Sequence, residues 1–125
     1  LTNLINFISY HYPNLQKFMK RYANIIRLRP EKLDEYKELH KAVWQSVLDR
    51  IKTSNITNYS IFYRDGLLFS YYEYVGTDHA ADMAAIASDP MTQKWWELTT
   101  PCQQPLETCQ EGEWWASMEE FFYTK

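Results

Sequence analysis

LDEYKELHKAVWQSVLDRI, residues 33 to 51, carries apolar side chains at helical spacing. At about 100° per residue, Leu33, Tyr36, His40, Val43, Trp44, Val47, Leu48 and Ile51 fall on one side, while Asp34, Glu35, Glu38, Lys41, Gln45 and Asp49 point away. This predicts one amphipathic helix over the whole stretch. Near its centre, Tyr36, His40 and Trp44 recur every fourth residue and line up a phenol, an imidazole and an indole. Polar tips carried toward a core need hydrogen-bond partners, supplied by protein, water or a ligand. A histidine so placed is either a locally bonded structural residue or a site residue, and the helix alone does not choose.

The flanks supply the rest of the fold. Upstream, Arg21–Leu28 reads as a strand with Tyr22, Asn24, Ile26 and Leu28 on one face, ended by Arg29-Pro30. Downstream, Ile56–Tyr63 is expected as a strand with Thr57, Tyr59, Ile61 and Tyr63 on a common face. Arg64-Asp65-Gly66 is a hairpin turn, because Asp-Gly tolerates the positive φ of a tight reversal, and Leu67–Val75 returns as a third strand. Thr77 and Asp78 are set to cap a helix over His79–Ser88, its alanines expected to pack on the sheet. Asp89-Pro90 starts another helical segment that runs to Thr99 and holds Trp95 and Trp96. Residues 101–112 look irregular, and Glu113–Tyr123 alternates as a last strand.

Strand, helix, strand, strand, helix, strand is the order of an α+β ferredoxin-like sandwich, a four-stranded antiparallel sheet with helices on one face. Its other face, in a chain that is 17% aromatic, calls for a second copy, which makes a homodimer with a barrel-like α/β assembly. The 125 residues suffice for one domain, expected over residues 19–125 with residues 1–18 as an N-terminal extension that is neither a signal peptide nor a membrane anchor. Charged residues are interspersed and the net charge is −3, which gives no footprint for nucleic acid or an anionic membrane. Cys102 and Cys109 lie in no metal-binding pattern and are expected as free thiols in the cytoplasm.

Three glycines cannot build a phosphate loop or dinucleotide fingerprint, so no cofactor is expected. What remains is proton chemistry: an imidazole titrates near neutral pH, and a neighbouring phenol can complete a relay. Tyr36 and His40 are the candidate pair, and the tryptophans offer apolar faces to a sugar ring or simply to the core. Arg27, Asn58, Glu73 and Glu119 are polar strand residues that could bind hydroxyls.

Taken together, Glu35-Tyr36, His40, Trp44, Asn58-Tyr59, Trp95-Trp96 and Met118-Glu119-Glu120-Phe121-Phe122-Tyr123 give the stretch from Met19 to about Tyr123 a form that resembles the L-rhamnose mutarotase family. The resemblance implies a small, dimeric, ferredoxin-like enzyme that interconverts the anomers of L-rhamnose, a monosaccharide, without cofactor or metal. It implies His40 as the catalytic histidine, with Tyr36 beside it, and Tyr36, Tyr59, Trp95 and Trp96 as substrate contacts. Many members have proline where this chain has Gln45, a change expected on a helix surface, and residues 1–18 have no counterpart. The competing expectations are a cofactor-free monooxygenase or cyclase of the same architecture and a non-catalytic sugar-binding or dimerisation module.

Overall fold

Residues 19–125 are described by the structure, a computed structural model, and the expected extension 1–18 lies outside them. Strand β1 (Lys20–Leu28) leads through a 3-10 turn (Pro30–Lys32) into helix α1 (Leu33–Lys41) and helix α2 (Gln45–Thr53). Strands β2 (Ile56–Arg64) and β3 (Leu67–Tyr74) form the hairpin, followed by helices α3 (His79–Ser88) and α4 (Pro90–Thr99). A second 3-10 turn and two short strands, β4 (Gln103–Gln104) and β5 (Ala116–Ser117), complete the chain.

The hydrogen-bonded order is β2-β3-β1-β4, antiparallel throughout, with β5 also on β1. The expected α+β ferredoxin-like fold is therefore the one observed, with its fourth strand position filled by two fragments. Asp65 and Gly66 both have positive φ, 51° and 79°, as the tight reversal requires. Asp78 and Asp89 each accept a bond from the backbone N–H three residues on, at 3.0 and 2.9 Å, and so start α3 and α4 where the sequence set them.

Three expectations need correction. The helix over residues 33–51 is two helices: Ala42, at φ −145° and ψ 65°, ends the first, and extended Trp44 caps the second. The four-residue spacing survives the break because the chain re-enters the helix almost at once on the same side. The last strand is reduced to Ala116–Ser117, plus one bond from Met118 N–H to the Ala23 carbonyl at 2.9 Å. Beyond it Phe121 and Phe122 are 96% and 79% exposed, with nothing in the protomer to pack on, and the tail is held by the ion pair of Arg21 with Glu120 and by Arg21 over the Tyr123 ring. Helix α3 packs through Met83 and Ile86, while most of its alanines face solvent.

The helix-covered face carries two separate clusters. One gathers Ile26, Leu28, Tyr36, Leu68 and Cys102, and the other gathers Ile56, Tyr74 and Ile86. A fully buried side chain such as Ile26 or Leu68 contributes about 1.5–3 kcal/mol relative to exposure. The opposite sheet face presents Ile25, Phe69 and, 63% exposed, Phe62. No helix among the described residues is long and apolar enough to cross a membrane.

Candidate active site

Between the sheet and its helices lies a cavity of about 790 Å³, a size ordinary for small-molecule sites. Tyr36, His40, Tyr59, Trp95 and Trp96 all line it, although they come from α1, β2 and α4. The fold thus brings these five expected residues together around one cavity. Tyr36 is buried, and its ring lies 4.2 Å from that of His40 between centroids, at 35°, as side chains one helical turn apart should.

The hydrogen bonds of this pair define its chemistry. His40 Nδ1 is 2.8 Å from the Tyr36 carbonyl. A carbonyl only accepts, so in the neutral ring Nδ1 holds the proton and Nε2 presents a lone pair. Burial pushes the Tyr36 phenol up to about 12, partly offset by the bond it receives from Gln103. At cellular pH Tyr36 is therefore a protonated phenol.

Gln103 is buried and donates from Nε2 to Tyr36 Oη at 3.1 Å, while its Oε1 accepts from Trp114 Nε1 at 2.8 Å. Both residues also line the cavity, and neither stands out in the sequence: Gln103 falls in an irregular span, and Trp114 carries no signal beyond its place in the expected last strand. The indole of Trp95 is buried, edge-on to His40 at 5.6 Å and to Trp44 at 5.3 Å. Trp95 is thereby both wall and packing, whereas Trp96 is 41% exposed at the rim.

Tyr59 reaches the cavity through a bulge. Thr57 pairs with Glu73 and Ser60 with Tyr71, which leaves Asn58 and Tyr59 both opposite Tyr72. The extra residue is accommodated by Asn58 at φ 49°, a left-handed conformation that asparagine tolerates. Tyr59 leaves much of its surface open, but that surface faces the cavity, and burial among the cavity walls raises its phenol well above the usual value. Beside it Tyr72 bonds to His79 Nε2 at 2.8 Å, and His79 stacks on Tyr22 at 4.1 Å. Period-two alternation through Leu68, Ser70, Tyr72 and Tyr74 is the signal that marks this wall in the sequence.

The hydroxyl-binding residues expected on the strands lie elsewhere. Asn58 Nδ2 donates to Glu73 at 2.8 Å and Tyr71 donates to the same carboxylate at 2.9 Å, on the face away from the helices. Arg27 pairs with Glu107 at 3.3 Å, and Glu119 is exposed. None of the four borders the cavity, where Asn24, Lys37, Ser70, Thr92, Thr99, Thr100 and Gln103 supply polar groups instead.

Comparison with known proteins bears on what this arrangement is for. A family model described as L-rhamnose mutarotase matches residues 21–124. An L-rhamnose mutarotase from Listeria monocytogenes serotype 4b (strain F2365) is 35% identical over 83 residues, 66% of this chain and 79% of the relative. One from Bacillus subtilis (strain 168) is 32% identical over 85 residues, again 66% of this chain and 79% of the relative. Among solved structures, the L-rhamnose mutarotase from Formosa agariphila superposes with TM-score 0.66 at 22% identity, over 85% of this chain and 99% of that one. Tetracenomycin F2 cyclase from Streptomyces glaucescens reaches the same TM-score at 14% identity, over 85% of this chain and 97% of that one, so the fold alone is shared by different chemistries.

Proposed function

Because this chain belongs to the L-rhamnose mutarotase family, we propose that His40 and Tyr36 are the acid–base pair with which it interconverts the α and β anomers of L-rhamnose. The observation that carries the reading is the complementary proton state of the two side chains: a lone pair on His40 Nε2 beside a phenol held protonated. His40 takes the proton of the anomeric hydroxyl as Tyr36 gives its proton to the ring oxygen. The bond from the anomeric carbon to the ring oxygen breaks, the carbonyl forms, and the open-chain aldehyde turns about its first carbon–carbon bond. Reclosure reverses both transfers: the phenolate recovers its proton from the attacking hydroxyl, and the imidazolium returns one to the carbonyl oxygen. The imidazolium sits in the last turn of α1, where the helix dipole favours a cation. Tyr59 and the faces of Trp95 and Trp96 bound the sugar, and holding both proton carriers against it converts slow bulk exchange into a positioned reaction.

Saturation transfer between the anomeric proton signals of L-rhamnose tests this directly. Micromolar protein accelerates exchange, and His40→Ala lowers the accelerated rate by about 10²–10⁴-fold. No acceleration by the folded wild-type protein would refute the assignment and leave a cyclase, monooxygenase or binding module of the same fold.

The active form is a homodimer. Support comes from the uncovered sheet face with Ile25, Phe62 and Phe69, and from the exposed Phe121 and Phe122 on the tail, apolar surface that a second copy would remove from water. Light scattering at twice the protomer mass is the expected result. The free thiols of Cys102 and Cys109 fit a cytoplasmic enzyme.

A further inference from the structure

We infer that Gln103 and Trp114 are positioning residues that fix the direction of the Tyr36 proton, so that the phenol faces its substrate as a donor. The inference rests on the acid–base assignment above. It follows from what each group can and cannot do in a hydrogen bond. An indole N–H only donates, so the atom of Gln103 that lies 2.8 Å from Trp114 Nε1 is the carbonyl oxygen. That removes the ambiguity in which way a glutamine amide points, and the atom 3.1 Å from Tyr36 Oη is then the NH₂ group. The phenol oxygen accepts that bond, and its own hydrogen is left to point elsewhere.

Tyr36 and Gln103 are both buried and both border the cavity, and the cavity is where the hydrogen can find an acceptor. Without this arrangement a phenol could turn its proton into the wall and present only lone pairs to the sugar, which would make it useless for protonating a ring oxygen. The relay runs from Trp114, ahead of β5, through Gln103 on β4 to Tyr36 on α1, and so ties α1 to two neighbouring segments much later in the chain. It also gives the short strand β4 a reason to be where it is: pairing of Leu28 with Gln103 holds the amide under the phenol.

Gln103→Glu is nearly isosteric and inverts the polarity. The carboxylate still accepts from Trp114 Nε1, but it can only accept from Tyr36 as well, which turns the phenol proton inward. Expected at neutral pH is a fall in kcat of at least about tenfold, toward the 10²–10⁴-fold of losing the acid itself, with KM changed by less than about threefold. As pH falls and the introduced carboxyl takes up a proton, it can donate to Tyr36 again, so the deficit relative to wild type at the same pH shrinks. In protein labelled with ¹³C at tyrosine Cζ, the Tyr36 resonance moves toward its phenolate position in Gln103→Glu and returns on acidification. That signal needs no substrate.

Wild-type kcat and pH profile in Gln103→Glu would overturn the inference, as would a pH-independent loss accompanied by an unmoved Cζ signal. Should Gln103→Glu fail to fold, Trp114→Phe decides. It frees the amide to turn over, and a fall in kcat of about two- to tenfold, the worth of one hydrogen bond, is expected, whereas an unchanged kcat refutes the role. Failure of the mutarotase assignment is recognised separately, by a wild-type protein with no exchange activity.

Discussion

Gln45→Pro separates the observed pair of helices from a continuous one by several kcal/mol. In the structure Gln45 opens α2, so its N–H is among the donors that a helix leaves unpaired at its start. Trp44 before it has φ −60° and ψ 135°, the extended geometry that a following proline imposes on its neighbour. Proline here keeps the bonds from Val47 and Leu48 N–H to the Trp44 carbonyl, 3.0 and 3.1 Å. It restricts the unfolded chain, which is worth about 0.4–1 kcal/mol. It removes the exposed bond from Gln45 to Asp49, 2.8 Å, worth about 0.2–0.5 kcal/mol. The net is between no change and about 0.8 kcal/mol of stabilisation, a rise in Tm of up to roughly 6 °C at about 4–8 °C per kcal/mol. In an unbroken helix the same proline would delete an interior bond and strike the carbonyl of Lys41, costing about 3 kcal/mol or more and lowering Tm by over about 10 °C. Thermal melts followed by far-ultraviolet circular dichroism distinguish the two, and a fall of that size would refute the break at Ala42–Trp44.

Tyr36→Phe lowers exchange by about 10²–10⁴-fold, since it removes the acid, and destabilises the protein by about 1–3 kcal/mol, since the Gln103 amide loses its acceptor in a buried place; urea titration and exchange measurements read the two effects, and full activity would contradict the mechanism. L-mannose, which has a hydroxymethyl group in place of the methyl of L-rhamnose, is turned over at up to about 10²-fold lower kcat/KM, because an apolar wall such as Trp95 or Trp96 rejects one added hydroxyl only weakly. Sugars epimeric at ring hydroxyls fare worse, and their acceptance alongside strict exclusion of L-mannose would point to a polar reader of the sixth carbon. Burial between Tyr22 and Tyr72 holds the His79 imidazole below its usual 6.5, against Asp82, which raises it, and with Lys20, which lowers it. The unfolded chain then binds the proton more readily, so this contribution to stability is complete above about pH 6.5 and is lost as pH falls from there toward the folded value. Urea midpoints between pH 7.5 and 5.5 should fall accordingly, and His79→Gln should flatten that slope; an equal slope in the variant would assign it to other groups.

How far the sequence discloses this molecule depends on which signals are periodic. Strand β1 and the Asp65-Gly66 hairpin follow from alternation and turn chemistry, and Tyr36 and His40 from a helical repeat, so they are legible at once. The break after α1 leaves no trace in the repeat, because Trp44 keeps its four-residue distance from His40. Its one clue is the family's proline where this chain has Gln45, a residue type suited to the first position of a helix and ill suited to its middle. Asn58 is similar: it looks like an ordinary strand residue, yet it alone in β2 readily takes a left-handed backbone. Arg27 could have been assigned to the outer face by parity, since Ile26 and Leu28 point inward. Gln103 could not, because a glutamine in a two-residue strand has no pattern around it, and its importance comes wholly from tertiary contact with Tyr36 and Trp114.

The bulge in β2 makes the strand readable in two frames. Before it Ile56 points to the helices, and after it Tyr59, Ile61 and Tyr63 do so, on what would otherwise be the other parity. Drawing residue 58 into the regular ladder would turn those three side chains outward and bring Ser60 and Phe62 in, whereas deleting it would remove the bulge and leave Tyr59, Ile61 and Tyr63 facing the helices. The facing of the strand thus depends on residue 58 staying out of the regular ladder. Among descendants of this sequence, drift in the identity of residue 58 is limited to types that hold a left-handed backbone, while loss of its codon would leave the lining of the cavity in place.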